Sequence, residues 1–193
     1  MLTTLLKLKV RIKIDAFDVK DDATLNGFLS LVSGRFEKFC NRKFARDAAA
    51  TCVFRGDELD LRVDRYPIES VTSFHLKTNE TEGWVAEVSD YLISGSRAIV
   101  TLPASLGTQE QLLRVTFAGG FVLPDSTPSA GQTALPDEIE QSCIEQAAYL
   151  WQRKNELGLT SVSADNSSIQ QFAAMDLLPG VKEVLKKFER MMA

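Results

Sequence analysis

Residues able to carry acid–base catalysis are few in this chain. Its single histidine, His75, lies in a segment where apolar and polar residues alternate, with Ser73 and Lys77 on the same side, which predicts a solvent-facing side chain on a strand. No triad pattern surrounds it. Adjacent carboxylates each have an expected capping or turn role; these pairs are Asp21-Asp22, Asp57-Glu58 and Asp137-Glu138. The sequence supports no particular reaction, so a small hydrolase using His75 is the least favoured function.

The sequence also lacks motifs for binding a metal, a cofactor or a phosphate group. Cys40, Cys52 and Cys143 stand far apart and form no CxxC pair, whereas zinc needs several ligands at close spacing. We interpret the cysteines as buried, reduced thiols of a cytosolic product and expect neither a metal nor a cofactor. The Gly119-Gly120 pair follows a predicted strand, but no helix opening with Lys-Ser or Lys-Thr comes after it, so a phosphate-binding loop is not indicated.

The composition and net charge limit the classes of protein to which this chain could belong. The chain has 193 residues, of which 45% are apolar and 25% charged, as expected for a soluble protein of one domain or of one domain carrying an insertion. The net charge of −4 argues against a general nucleic-acid binder. Apolar stretches are too short to span a bilayer. The N-terminus, MLTTLLKLKVRIKI, has lysines among its apolar residues, so we expect no targeting segment.

The segment of residues 5–14 fits two structures. Apolar residues alternate there with four cations, Lys7, Lys9, Arg11 and Lys13. This period favours a half-buried strand, but a helix capped by Thr3 or Thr4 fits as well. On a strand, the four cations share one side, which suggests an alternative function as a nucleic-acid-binding regulator whose DNA affinity falls steeply with salt. A solvated face on an edge element is the simpler interpretation.

Three helices are predicted from their apolar stripes. One covers residues 21–40, is capped by Asp21 or Asp22, and is followed by Asn41 in a left-handed turn. The clearest covers residues 135–157, with Pro136 in its first turn, three acidic residues at its start and Gly158 at its end. The last covers residues 178–191 and carries a cationic face opposite a short apolar one.

Between the helices the pattern changes to period two, which predicts an antiparallel β region. Seven short strands are indicated, at residues 51–54, 58–63, 70–77, 84–88, 91–93, 98–101 and 111–117. A proline- and serine-rich connector covers residues 123–134, and a polar, soft loop is predicted at residues 159–171. The predicted fold is α+β: a single domain with a small helical core, residues 1–45 and 134–193, and a β insertion, residues 46–133.

The order and spacing of these parts carry a resemblance, although no single stretch is a strong motif. The stretches that carry it are residues 2–5 (LTTL), the Asp21-Asp22 helix start, FEKFCNRKF at 36–44, YPIESVTSF at 66–74, LRVTFAGGF at 113–121, LPDEIEQSCIEQAAYLWQRKNELG at 135–158, and LLPGVKEVLKKFER at 177–190. Together they span most of the chain. The chain resembles the head-tail connector (adaptor) proteins of long-tailed bacteriophages and prophages. The resemblance also favours a helix for residues 5–14.

That resemblance implies a structural protein without enzymatic activity. It would form a homo-oligomeric ring beneath the portal protein, a dodecameric ring being the candidate, and extend the DNA channel without binding DNA specifically. The ring would offer a platform to a neck or tail-completion protein. The expected location is the neck of the virion, after assembly in the host cytoplasm, with no membrane partner.

The same resemblance suggests which segments contact partners. In such rings the helical core packs side by side, while loops and the C-terminal segment reach the portal. We therefore expect contacts in residues 159–176 and 182–190. The candidate partner-binding residues are Ser161, Asn166, Gln170, Gln171, Phe172, Lys182, Lys186, Lys187 and Arg190.

Overall fold

The computed structural model describes residues 1–154, 161–164, 168–171 and 177–190. The chain divides into two compact units. A helical unit consists of Met1–Cys40 and Pro136–Glu189, and a β unit consists of Asn41–Leu135 together with Arg190. Helices and largely antiparallel sheets confirm the predicted α+β class.

The N-terminal segment is a helix, α1, Leu5–Ile12. Thr4 caps it, its hydroxyl accepting a hydrogen bond from the backbone N–H of Lys7 at 3.4 Å, and Lys13 ends it in the left-handed conformation with φ 59°. The strand favoured by the alternation of residues is therefore wrong, and the helix favoured by the resemblance is right. Since successive residues of a helix are about 100° apart, the four cations do not share one side.

Helix α2, Asp22–Phe39, has nearly the predicted bounds, but Asp21 at its N-cap position makes no side-chain capping hydrogen bond, so the predicted cap is wrong. Its apolar stripe is fully buried at Leu25, Leu29, Val32 and Phe36. Asn41 follows with φ 48°, which confirms the predicted left-handed residue beyond the helix. Buried side chains at intervals of three and four residues hold this helix in the core of the helical unit.

Helix α3, Asp137–Gln152, has 16 residues and begins after Pro136. Its apolar stripe, with Ile139, Cys143 and Ala147 inaccessible to solvent, confirms the predicted core face. The helix ends earlier than predicted, and Gly158 lies outside the described residues. Helix α4, Pro179–Lys186, packs through Val181 and Leu185, and the buried Gln146 of α3 accepts a hydrogen bond from the N–H of Leu178 at 2.8 Å.

The β unit contains nine strands. They are β1 Asp47–Arg55, β2 Asp60–Arg62, β3 Ile68–Lys77, β4 Trp84–Glu87, β5 Leu92–Ser94, β6 Ile99–Thr101, β7 Leu112–Gly119, β8 Phe121–Val122 and β9 Thr133–Ala134. The first seven confirm the predicted strands with shifted ends. They form an antiparallel sheet in the order β1-β7-β3-β4 and another in the order β2-β6-β5, while β8 and β9 make a short parallel pair. One apolar core includes Leu61, Ile68, Val100, Leu113 and Phe117.

A further strand pair belongs to the helical unit. Strand β10, Ser161–Ala164, pairs in antiparallel register with β11, Ser168–Gln171. The sequence predicts a soft loop there, because its residues are polar and small. The structure instead forms a ladder of backbone hydrogen bonds, which is available to any non-proline residue.

Truncation of Phe36 to alanine is expected to destabilise the helical unit. The side chain is fully buried in α2, so Phe36→Ala should lower the free energy of unfolding by about 3–5 kcal/mol through lost burial and an unfilled cavity. Urea unfolding followed by circular dichroism at the helix band measures this loss. Leu31→Ala is the matched control, since Leu31 lies on the same helix but is 45% exposed, and it should cost less than about 1 kcal/mol. Equal losses would contradict this packing.

Candidate interaction surface

One flank of α1 is fastened to α3 by the carboxylate of Glu140, which is only 8% exposed. Lys7 Nζ lies 2.7 and 2.8 Å from its two oxygens, and the buried Thr3 hydroxyl donates to Oε1 at 3.0 Å. The N–H of Leu2 donates to Ser33 Oγ of α2 at 3.1 Å. Charge-assisted hydrogen bonds donated to a buried carboxylate therefore fix the start of α1 against α3, and the Leu2–Ser33 hydrogen bond fixes it against α2.

The opposite flank of α1 carries a buried lysine. Lys9 is 3% exposed, and its Nζ lies 2.6 Å from Asp22 Oδ1, 2.7 Å from the carbonyl of Asp18 and 3.2 Å from that of Ala16. An ammonium has three N–H donors, and a buried charge is tolerated only when it is paired and hydrogen-bonded. Lys9 thus binds the end of α1 to the start of α2 and to the segment between them, residues 13–21, which we call the α1–α2 loop.

The α1–α2 loop is ordered by its own aspartates. Asp15 Oδ1 accepts a hydrogen bond from the N–H of Phe17 at 2.8 Å, and Asp18 Oδ1 accepts one from the N–H of Lys20 at 3.1 Å. Such turns replace backbone pairing with side-chain acceptors. At the tip of this ordered loop Phe17 is 92% exposed and Val19 72% exposed. The loop therefore holds an exposed aromatic side chain on an ordered backbone.

A groove of about 800 Å³ runs between α1 and α3. Its lining residues are Leu6, Lys7, Val10, Arg11, Asp137, Glu138, Glu140, Gln141 and Ile144. Leu6 and Val10 remain 56% and 70% exposed, so the groove presents apolar surface to solvent. Apolar concavities with a few charged groups at the rim are common binding sites for other molecules.

The structure places the predicted lysines on α4. Val181 and Leu185 point into the core, while Lys186 is exposed and Lys182 is partly exposed one turn earlier. Lys187 is exposed but forms an ion pair with Glu138 at 3.1 Å. Arg190 falls in the β unit, where its guanidinium donates to the carbonyl of Arg62. The structure therefore brings the three lysines together on one helix, and it does not group Arg190 with them.

The other candidate contact residues fall in or beside the β10–β11 pair. Ser161 is the Cα partner of Gln171 in the ladder, and Gln170 is the partner of Val162. Asn166 and Phe172 lie outside the described residues. Of these five predicted residues, the structure thus brings together Ser161 and Gln171 on neighbouring strands.

His75 is partly exposed, and burial keeps the thiols of Cys52 and Cys143 protonated. His75 is partly exposed beside the buried Phe74 and Leu76, as alternation predicts, and its Nδ1 lies 3.5 Å from Ser73 Oγ. Cys52 is partly exposed, not buried as predicted, with Sγ 3.1 Å from Asp64 Oδ1. Burial raises the pKa of the Cys52 thiol to about 12, and that of Cys143 likewise to about 12. These thiols stay protonated at neutral pH, and a protonated thiol is a poor nucleophile.

Among the residues that the structure describes, no three or more His, Cys, Asp or Glu side chains lie close enough together to hold a metal ion. No helix among them combines the length and apolarity needed to cross a membrane.

Sequence reasoning missed the residues that shape this surface, Lys9, Glu140 and Phe17. Glu140 is one of three acidic residues in the first turn of α3, a pattern that the helix dipole explains. The sequence therefore gives no sign that Glu140 also binds Lys7 of α1. Lys9 is one of four similar cations in the sequence. Phe17 did carry a signal, because it is an isolated aromatic residue in the acidic stretch DAFDVKDD.

Removal of the buried ammonium is expected to destabilise the helical unit. Lys9→Met leaves the Asp22 carboxylate and two carbonyls without their shared donor, and breaking a buried ion pair costs about 3–5 kcal/mol. Urea unfolding measures this cost. Lys13→Met is the control, since Lys13 is exposed and should cost no more than about 0.5 kcal/mol. A Lys9→Met variant as stable as the control would show that the ion pair is not structurally important.

Comparison with known proteins places the fold. No known protein family and no curated protein matches the sequence. A chain from the neck of an empty gene transfer agent (GTA) particle, computed with C6 symmetry, superposes with a TM-score of 0.63 at 13% identity, over 97% of this chain and 89% of that one.

Two further solved chains give similar superpositions. A chain from the virion of a native GTA particle gives a TM-score of 0.56 at 16% identity, over 97% of this chain and 89% of that one. A chain from the neck of a native GTA particle, computed with C12 symmetry, gives 0.53 at 15% identity, over 98% and 94%. At such low identity these likenesses show a shared fold.

Proposed function

We propose that this chain is a structural subunit of the neck of a phage-like particle and forms the head-tail connector ring beneath the portal protein. The observation that carries the proposal is the fold shared over 97% of the chain with a chain from a GTA neck. The order of elements in the sequence independently resembles the adaptor family. The two solved necks are described with C6 and C12 symmetry, which supports a ring of identical subunits, with a dodecamer as the proposed number.

Within that ring we assign different roles to different surfaces. Residues 159–176 and the lysines of α4 would contact the portal, and another face would receive a neck or tail-completion protein. Lys186 suits such a role because it projects from a helix whose opposite side is buried. DNA would pass through the channel without specific binding, in keeping with the net charge of −4. The protein would act in the virion neck after assembly in the host cytoplasm, without a cofactor or membrane partner.

The proposal assigns no catalytic activity. The raised pKa of Cys52 and the absence of a carboxylate in hydrogen-bond contact with His75 within the described residues support this assignment. The alternative function, nucleic-acid binding through a basic N-terminal face, loses its geometric basis. Lys7 and Lys9 are paired with Glu140 and Asp22 on opposite flanks of α1, so they do not form one phosphate-binding surface.

Assembly with the portal is the direct test. Light scattering should show a closed ring, or a stable complex when the chain is mixed with the portal protein encoded near its gene. A ring that closes only on the portal is compatible with a monomer in isolation, because partner binding shifts assembly by mass action. A monomer that ignores the portal and binds DNA with an affinity that falls steeply with salt would overturn the proposal.

Neutralising a lysine on α4 should weaken portal binding. Lys186→Gln removes an exposed charge in the last turn of α4, and we expect the portal Kd to rise up to about fivefold, as for the loss of a solvent-exposed ion pair. Lys38→Gln is the matched control, since Lys38 is an exposed lysine in the last turn of α2. Biolayer interferometry at two salt concentrations measures both. Equal Kd values for the two variants would exclude this contact.

A further inference from the structure

One side of the β1-β7-β3-β4 sheet faces away from the apolar core of the β unit, and we call it the outer sheet face. The strand register sets its side chains in rows across the four strands. The first row is Arg55, Leu112, Lys77 and Trp84; the second is Val53, Arg114, His75 and Ala86; the third is Thr51, Thr116 and Ser73. These rows contain three arginine or lysine side chains, a histidine and a tryptophan, but no carboxylate.

The cations at the margins of the outer sheet face already have acidic partners. These ion pairs are Lys77 with Glu80 at 2.6 Å, Arg55 with Asp57 at 3.4 Å and with Glu58 at 3.7 Å, Arg46 with Glu69 at 2.7 Å, and Arg65 with Asp47 at 3.7 Å. Glu87 is the Cα partner of the buried Phe74, which places it on the other side of the sheet. Three further acidic residues lie in turns and loops beyond the rows, namely Glu82, Asp90 and Glu110. The charge of the face is therefore balanced at its margins and unbalanced at Arg114 in its second row.

The Arg114 guanidinium has a cation–π contact but no hydrogen-bond acceptor. Its central carbon lies 4.5 Å from the centre of the Trp84 ring, and no residue in the described part of the chain accepts a hydrogen bond from it. Its Nε is shielded from water, and a shielded donor without an acceptor is unfavourable. Stacking on the ring orients the plane of the guanidinium, whose N–H groups suit bidentate binding of a carboxylate. Arg114 is thus a preordered donor whose acceptor can come from another molecule.

His75 lies directly opposite Arg114, on the neighbouring strand β3. The Cβ atoms of such cross-strand neighbours are about 4.5–5.5 Å apart, and like charges at these positions repel each other. An anion bound by Arg114 therefore also lies near the imidazole. Because His75 is the only histidine of the chain, its ring protons give one set of NMR signals, which reports on the centre of the outer sheet face.

From these observations we infer that the outer sheet face binds a protein partner that brings a carboxylate to Arg114. A protein is favoured over DNA because Val53 and Leu112, which neighbour Arg114 on this face, are 53% and 41% exposed and offer apolar contact. The acidic residues at the margins would also repel a row of phosphates. Tryptophan and arginine are the residue types that most often supply binding energy in protein interfaces. The inference rests on the proposed function, in which this partner is the neck or tail-completion protein.

The test measures binding of the full chain to the neck or tail-completion protein encoded near its gene, by biolayer interferometry. Arg114→Gln should raise the Kd about tenfold or more, as for the loss of a hydrogen bond to a charged group. Val53→Glu should also raise it, because this exposed position lies directly opposite Arg114 and the new carboxylate competes with that of the partner. Arg55→Gln is the matched control, since the Arg55 side chain is on the same face but is 54% exposed and already paired, and it should change the Kd less than about twofold. At equal partner concentration the His75 ring signals should move in the wild type and in Arg55→Gln, but not in Arg114→Gln.

Different outcomes identify the occupant of the outer sheet face. Weaker binding by Arg114→Gln and Val53→Glu, with thermal unfolding and portal binding unchanged, supports the inference; if Arg114→Gln fails to fold, Val53→Glu decides. Equal Kd values in the wild type and in every variant overturn the inference and leave the proposed function standing. Variants that lose only binding to duplex DNA, or only self-association seen by light scattering, overturn it in favour of phosphate or of a second copy. A wild-type chain that binds neither the portal nor the neck protein overturns the proposed function itself.

Discussion

The Glu140 carboxylate is the interaction on which the arrangement of the helical unit depends. Helix α1 spans only eight residues, and an isolated helix of that length is not stable in water. It is held because Lys7 and Thr3 both donate to Glu140, which lies in the first turn of α3, where the helix dipole also favours a negative charge. Loss of that carboxylate would remove the contacts of Lys7 and Thr3 with α3, and α1 would then be held by the buried Leu8 and by the Lys9–Asp22 pair.

Near α1 a charged side chain is buried and an aromatic side chain is exposed, which is the reverse of the usual pattern. Lys9 is inside and Phe17 is outside, although desolvation favours the opposite arrangement. The cost of burying the ammonium is offset because its hydrogen bonds fix the backbone at residues 16 and 18 and its ion pair fixes the side chain of Asp22. A packed Phe17 in this loop would have contributed hydrophobic stabilisation to the monomer.

The parts of the fold that follow from local pattern were predictable. Leu25, Leu29, Val32 and Phe36 recur at helical spacing, and their burial gives α2 as predicted. The seven strands of the β unit likewise follow from period-two segments separated by turn residues. The lysines of α4 were found for the same reason, because Val181 and Leu185 define the buried side and the cations occupy the other.

The remaining parts depend on contacts between distant residues. The alternation in the segment of α1 favours a strand although a helix also fits, and the helix is stabilised by Thr4 and by Glu140, which lies far away in sequence. The burial of Lys9 depends on carbonyls that converge only after the loop has folded. In β10 and β11, polar composition predicts a loop, whereas backbone pairing is independent of side-chain type.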